Sequence, residues 1–210
     1  MEYHKIQSVY MRDPATKHKT FLEGHWSIPE FGYLANNIWH GTEKIDGTNV
    51  RIYWDIEKKS VSFNGRTKDA QMPTFLYSKL TELFTPDKFE SFHNSITLYG
   101  EGYGAKIQKG GGDYIPDGCG FILFDVWCGM WLNQDSVIDV ARTLNIPHAP
   151  LIFGGTLYDA IDMAKSGFDS ALRSSPPEGL VLRPVVELFT RRGDRIITKI
   201  KIKDFIRETK

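Results

Sequence analysis

Glu43-Lys44-Ile45-Asp46-Gly47-Thr48-Asn49, with the run that follows it, Val50-Arg51-Ile52-Tyr53-Trp54, decides how the chain is read. Apolar and polar residues alternate from Thr48 to Trp54, the period of a half-buried strand. Gly47 supplies backbone freedom for a tight turn just before it. Lys44 is therefore expected at a turn where a strand begins, a place from which a side chain can face a pocket on a rigid base. Lys and Asp beside Gly also make an ordinary solvated turn, so the rest of the chain has to decide between the two.

The chain has 210 residues, enough for one large domain or two small ones. Its formal net charge is zero, so no global basic field draws in nucleic acid. A nucleic-acid partner would have to be met by a local patch, or with help from another domain or chain. Cys119 and Cys128 lie in or beside an apolar run, too far apart for a C-x-x-C site. They are expected to be reduced and at least half-buried, as in an intracellular protein. No apolar run approaches the length of a membrane span, and the N-terminus has no apolar signal region. The cytoplasm is the expected location.

Along the chain, Ile6, Val9, Tyr10 and Met11 suggest a strand. Ser60–Phe63 suggests another, ending at Asn64-Gly65. That leaves Arg66 and Lys68 at a strand end, on the edge that holds Lys44 if the two strands are neighbours. Phe75 to Phe84 follows helical spacing between Pro73 and Pro86. Ile96 to Gly104 is a strand carrying a glycine-flanked Glu101. It is neither a P-loop nor a dinucleotide fingerprint, because no G-K-[ST] follows and no helix opens next. The flanking glycines are expected to let another group approach the Glu101 carboxylate. Lys109 to Gly120 reads as a flexible, substrate-facing loop. Phe121 to Trp127 reads as a central strand buried on both faces, with Asp125 the exception. A buried carboxylate needs a partner, and both a structural and a functional one are open. Asp135-Ser136 is expected to cap one helix, and Thr156 a second that runs to Leu172 with an interruption at Gly167. Glu178 opens a strand through Pro184. Arg195 to Lys203 alternates, with Thr198, Ile200 and Ile202 on one face and Lys199, Lys201 and Lys203 on the other. Its plainer reading is a solvated edge strand guarded by lysines.

In order, these patterns are Lys44 with Asp46-Gly47, Arg66-Thr67, Glu101, Phe124-Asp125, Glu178-Gly179-Leu180-Val181-Leu182-Arg183-Pro184, and Lys199 with Lys201. They resemble the covalent nucleotidyltransferase superfamily of ATP-dependent DNA and RNA ligases and GTP-dependent capping enzymes, across residues 41 to 205. DNA ligases and capping enzymes carry Arg at the fifth place after the lysine. Here Asn49 stands there, as in RNA ligases of the phage nick-sealing type. The stretch from Glu178 to Pro184 looks like their E-G-x-V-L-[KR]-P. Lys199 to Phe205 is similar to their K-x-K-x-x-x-F, which selects Lys199 and Lys201 over Lys203.

The resemblance implies an α+β fold of the ATP-grasp-like nucleotidyltransferase type, with twisted, largely antiparallel sheets, flanking helices and nucleotide in the groove between the sheets. It implies an ATP-dependent RNA ligase in which Lys44 is the nucleophile that takes AMP. Lys199 and Lys201 would hold the α-phosphate, and Asn49 would act after self-adenylylation, when AMP passes to a 5′-phosphate and a 3′-hydroxyl seals the strand. Nucleotide contacts are implied for Glu43, Ile45, Arg66, Glu101 (ribose), Phe124 (adenine stacking) and Val181 (its other face). Glu178, and also Asp125, are the implied ligands of Mg²⁺ or Mn²⁺. The partners implied are ATP and RNA ends or a nicked duplex, with no membrane. Only Ile206 to Lys210 follow Phe205, so residues 1–210 are expected to be one domain without a C-terminal OB or other accessory domain. A partner protein would then replace it. The alternatives are a DNA nick ligase or capping-type enzyme, and a nucleotide- or RNA-end-binding module without turnover.

Overall fold

The computed structural model describes residues 2–67 and 70–205. Its elements, in chain order, are β1 (Gln7–Ser8), β2 (Tyr10–Arg12), β3 (Phe21–Trp26), α1 (Pro29–Tyr33), β4 (Trp39–Glu43), β5 (Thr48–Asp55), β6 (Ser60–Gly65), α2 (Thr74–Leu83), β7 (Ile96–Gly104), β8 (Cys119–Trp127), α3 (Gln134–Leu144), β9 (Leu151–Gly155), α4 (Leu157–Ser166), β10 (Gly179–Pro184) and β11 (Thr198–Lys201). The fold is mixed α+β, built on largely antiparallel sheets, as the sequence implied. It divides into two compact units. The first is Asp46–Ala149 with the N-terminal residues through His4, and the second is Lys5–Ile45 with Pro150 onward.

The first unit is an antiparallel sheet in the order β6-β5-β7-β8. Alternation sends Val50, Ile52 and Trp54 of β5 and Ile96 and Leu98 of β7 into one core with Leu76 and Leu80 of α2 and Val137, Ala141 and Leu144 of α3, and a register shift in β8 lets both Leu123 and Val126 join it. Asn49 and Arg51 alternate with these residues along β5 and share the other face, where they pair with Glu101 and Tyr99 of β7. β8 is an edge strand of this sheet, not the central strand its apolar run suggested. Its buried character comes from the helices below and from the segment 147–149. The Leu123 amide donates to Pro147 O at 2.9 Å, and Ala149 donates to Leu123 O at 2.7 Å. α3 is capped by Asn133, whose side chain accepts from Ser136 N, with Asp135 in the first turn instead of at the cap.

The second unit is a five-stranded sheet, β1-β11-β10-β4-β9, with the hairpin β2–β3 beside it. Leu180, Leu182, Ile200 and Trp39 form a buried cluster with Leu157, Ala160, Ile161 and Ala164 of α4. Each fully buried aliphatic side chain of this kind contributes about 1.5–3 kcal/mol relative to exposure. The expected N-terminal strand is split into β1, paired in parallel with β11, and β2, paired with β3. Thr156 caps α4 through a full capping box with Asp159. The helix stops at Ser166, however, and does not resume after Gly167.

Candidate active site

The second unit's sheet gathers four of the implied residues by topology alone. β4 and β11 both run antiparallel to β10. The last residue of β4 is Glu43, the first of β10 is Gly179, and the last of β11 is Lys201, so all three meet at one end of the sheet. Lys44 follows β4 and Glu178 precedes β10, and the Lys44 amide donates to Gly179 O at 2.9 Å. Lys44 thus leaves the end of the preceding strand, not the base of the following one. β11 lies between β1 and β10, so its lysines are not the guard of a sheet edge. On β11, Thr198 and Ile200 are buried, while Lys199 and Lys201 stand on the opposite face with Val181 as the register partner of Lys199. Lys203 lies past the strand in a single helical turn and is exposed, so the alternation does not reach it.

Glu178 is the hub of this group. Its Oε2 accepts from Lys44 Nζ at 2.6 Å, and its Oε1 pairs with Lys201 Nζ. Burial pushes the Glu178 carboxyl up, but Lys44 and Lys201 outweigh it and the net shift is downward, so Glu178 is held ionised. Burial, then the charges of Lys44 and Lys201, bring Lys199 down to about 8. Three lysines to one carboxylate leave positive charge in excess, the electrostatics of an anion site. Gly179, between Glu178 and the strand, has φ +152, and a Cβ there would fall 1.9 Å from Ile200 O. Only glycine can let β10 start this close to β11.

Glu43 and Ile45 flank the lysine differently from what the resemblance implied. Glu43 pairs with Leu180 in register, on the buried face of the sheet. Its carboxylate accepts from Ser170 Oγ at 2.5 Å and Ala171 N at 2.8 Å. These donors come from the stretch that was expected to continue α4. Ile45 is buried as well. Neither side chain opens to solvent, so any nucleotide contact from them is left to their backbone.

The first unit holds the remaining implied residues. Gly47 is needed for close approach, not for its turn: a Cβ would sit 2.3 Å from Gly102 O. Asn49 faces Glu101 across β5 and β7, and its buried Oδ1 has no hydrogen-bond partner among the described residues. The glycines beside Glu101 do not clear space for a ligand. Side chains at Gly100 and Gly102 would strike Phe121 and Leu76. Asp125 is fully buried and accepts from Tyr3 Oη at 2.8 Å. The same Tyr3 ring meets Phe124 edge-on at 5.2 Å and Tyr99 at 4.9 Å. Asp125 therefore has a structural partner that the sequence did not reveal. No group of three or more His, Cys, Asp or Glu side chains able to hold a metal ion occurs among the described residues. Arg66 is exposed just past β6. β6 and β4 belong to different sheets, so Arg66 does not share the Lys44 edge. Lys68 lies outside the described residues.

The RNA ligase family profile matches residues 37–201, from the start of β4 to the end of β11. The chain belongs to the RNA ligase family. Its fold is also that of solved relatives. Naegleria gruberi RNA ligase with PPi aligns over 96% of this chain and 56% of that one, at 17% identity and a TM-score of 0.69. A variant of the same ligase with ATP and Mn aligns over 83% and 52%, at 18% identity and 0.65. Another, with AMP and Mn, aligns over 96% and 56%, at 16% identity and 0.69. This ligase-family chain thus spans about half the length of the solved relatives it matches. No curated protein matches it in sequence. No helix among its described residues is long and apolar enough to cross a membrane.

Proposed function

We propose that the chain is the adenylyltransferase module of an ATP-dependent RNA ligase and that Lys44 carries AMP. The observation that carries this reading is the Lys44–Glu178–Lys201 group with Lys199 beside it. A flexible amine stands among cations, at the end of a sheet, in a chain of the RNA ligase family. Lys44 releases a proton, its Nζ bonds to the α-phosphorus of ATP, and the bond to the bridging oxygen of the β-phosphate breaks, releasing pyrophosphate. Lys199 and Lys201 offset the charge that builds on the α-phosphate oxygens. Burial first, and then the charges of Lys44 and Lys201, lower the pKa of Lys199, and an anion bound beside it would offset the part due to charge.

The lysine-rich set fits a divalent cation only as one brought in by the nucleotide's phosphates, with Glu178, now paired with Lys44 and Lys201, as its carboxylate. Mg²⁺ or Mn²⁺ at a nucleotide keeps several waters and asks for one or two protein carboxylates, which Glu178 provides. When bound, the cation would neutralise phosphate charge. In the first unit, Glu101 binds the ribose, Phe124 stacks on adenine, and Arg66 contacts ribose or phosphate; in the second, Val181 serves as an apolar contact for the base. The buried acceptor of Asn49 serves the later steps, transfer of AMP to a 5′-phosphate end and sealing by a 3′-hydroxyl. Residues 1–210 act in this reading as one adenylylating module, with RNA ends or a nicked duplex as the acceptor.

The test is intact-protein mass after incubation with ATP and Mg²⁺ or Mn²⁺, alongside Lys44→Ala. The expected result is a gain of one AMP, absent in the variant and reversed by pyrophosphate. No gain with ATP, also after pre-bound AMP has been stripped with pyrophosphate, would leave a binding module and end the enzyme reading.

A further inference from the structure

The family reading leaves one feature of the second unit without a role, the arm from Val185 to Asp194 between β10 and β11. Its base is locked by charge. Arg195 donates through Nε and Nη2 to the two oxygens of Glu187 at 2.9 and 2.8 Å, and Arg183 Nη1 lies 3.5 Å from the same carboxylate. Both arginines are buried. Such a fork–fork pair fixes geometry more than it adds stability. Backbone bonds continue the hold outward, with Ile196 N donating to Leu188 O at 2.9 Å. The tip is equally ordered. Thr190 N donates to Asp194 O at 2.8 Å, Gly193 turns with φ +85, and Thr190 Oγ1 accepts from the amides of Arg192 and Asp194.

This rigid arm shows apolar surface to solvent. Phe189 is 50% exposed, Val186 68% and Val185 45%. Beside them Arg191 and Arg192 are exposed, with Asp194 as the nearest acid in sequence. An exposed aromatic ring next to two guanidinium groups on a fixed hairpin suits a single strand of nucleic acid, since every base offers a π-face and every linkage a phosphate. The chain as a whole carries no net charge, so an RNA strand must be met by a local feature of this kind.

We propose that the Val185–Asp194 arm is an RNA-strand contact: Phe189 stacks on an unpaired base, and Arg191 and Arg192 hold the neighbouring phosphates. This deepens the ligase reading and rests on it for the choice of RNA over a protein partner. The arm sits outside the Lys44 group, so it acts in holding RNA and not in adenylylation.

The test uses the full chain and a short, fluorescein-labelled, 5′-phosphorylated single-stranded RNA, with affinity measured by anisotropy across a salt series. The variants are Phe189→Ala and the double variant Arg191→Ala/Arg192→Ala. Lys17→Ala/Lys19→Ala, in another exposed basic turn, is the control, and thermal unfolding confirms that each is folded. Phe189→Ala is expected to weaken binding roughly five- to a hundred-fold. The double arginine variant is expected to flatten the log–log salt dependence by about 1.4, from about 0.7 per phosphate contact on a single strand. AMP-adduct formation stays at the wild-type level in both. Unchanged RNA affinity in the arm variants, an equal loss in the Lys17/Lys19 control, or no RNA binding by the wild type would overturn the proposal. Failure of the AMP adduct with arm-dependent RNA binding intact would instead count against the ligase reading, so the two failures read out separately.

Discussion

The two units use the same device, a largely antiparallel sheet with one apolar face against helices, and treat the other face in opposite ways. The second unit concentrates charge there: Lys199 and Lys201 share a face, and Lys44 joins them through Glu178. The first unit pairs its buried carboxylate internally and leaves Asn49 Oδ1 without a partner among the described residues. Tyr3 satisfies Asp125, and burial pushes the neighbouring Tyr99 up to about 12, despite Arg51 and together with Asp125. An excess of like charge on one face raises the local positive potential, and an anion there would lower its cost. The contrast separates a face rich in unbalanced charge from one whose buried carboxylate is paired internally.

That contrast can be broken most sharply at Glu178. Glu178→Ala should slow AMP-adduct formation by a hundred-fold or more, on the order of what an electrostatic catalytic group supplies. Tyr3→Phe, in the other unit, should leave the rate within about two- to three-fold. Comparable rate losses in both would show that the units do not divide the work. Next in size are the cores. Leu182→Ala and Leu80→Ala should each cost about 2–5 kcal/mol in denaturant unfolding. Because they lie in separate buried clusters, their double variant should be additive within about 0.5 kcal/mol. A larger coupling would merge what is described here as two cores. Tyr3→Phe should then cost about 1–3 kcal/mol of stability by leaving the buried Asp125 short of a donor. No loss would mean that the aromatic contacts alone hold Tyr3.

The smallest expected effect concerns Lys199. Its folded pKa of about 8 lies below the ordinary 10.5, so between these values the unfolded chain binds more protons and stability rises with pH. Below about pH 8 the cost of the charged form is complete. Lys199→Met should therefore stabilise the nucleotide-free protein at pH 7 by about 1 kcal/mol, a figure discounted for the side chain's contact with solvent. The gain should vanish toward pH 10.5. A gain independent of pH would trace it to packing instead.

What the sequence made legible was the part governed by short-range pattern. Strict alternation placed Lys199 and Lys201 on one face, and Thr156 announced the start of α4. The misreadings share another cause. An apolar run such as β8 reads as a central strand, but helices and the 147–149 segment bury it from outside the ladder. β4, the strand that delivers Lys44, shows no alternation, because Trp39-His40-Gly41-Thr42-Glu43 buries every residue but His40, a glycine and a glutamate included. The partner of Asp125 stands 122 residues away, and that of Glu43 127, and no local signal reports a contact at such separation.

The small clasp on Glu43 bears on the residue after it. Glu43 N donates to Pro150 O, its carboxylate is held by Ser170 and Ala171, and Lys44 N donates to Gly179 O. The backbone beneath the lysine is thus moored on several sides, and only its aliphatic stem is free to turn. In the proposed reaction, whatever Lys44 bears would swing as a tethered load from a fixed post: the stem would set how far it travels, and the post where each journey begins.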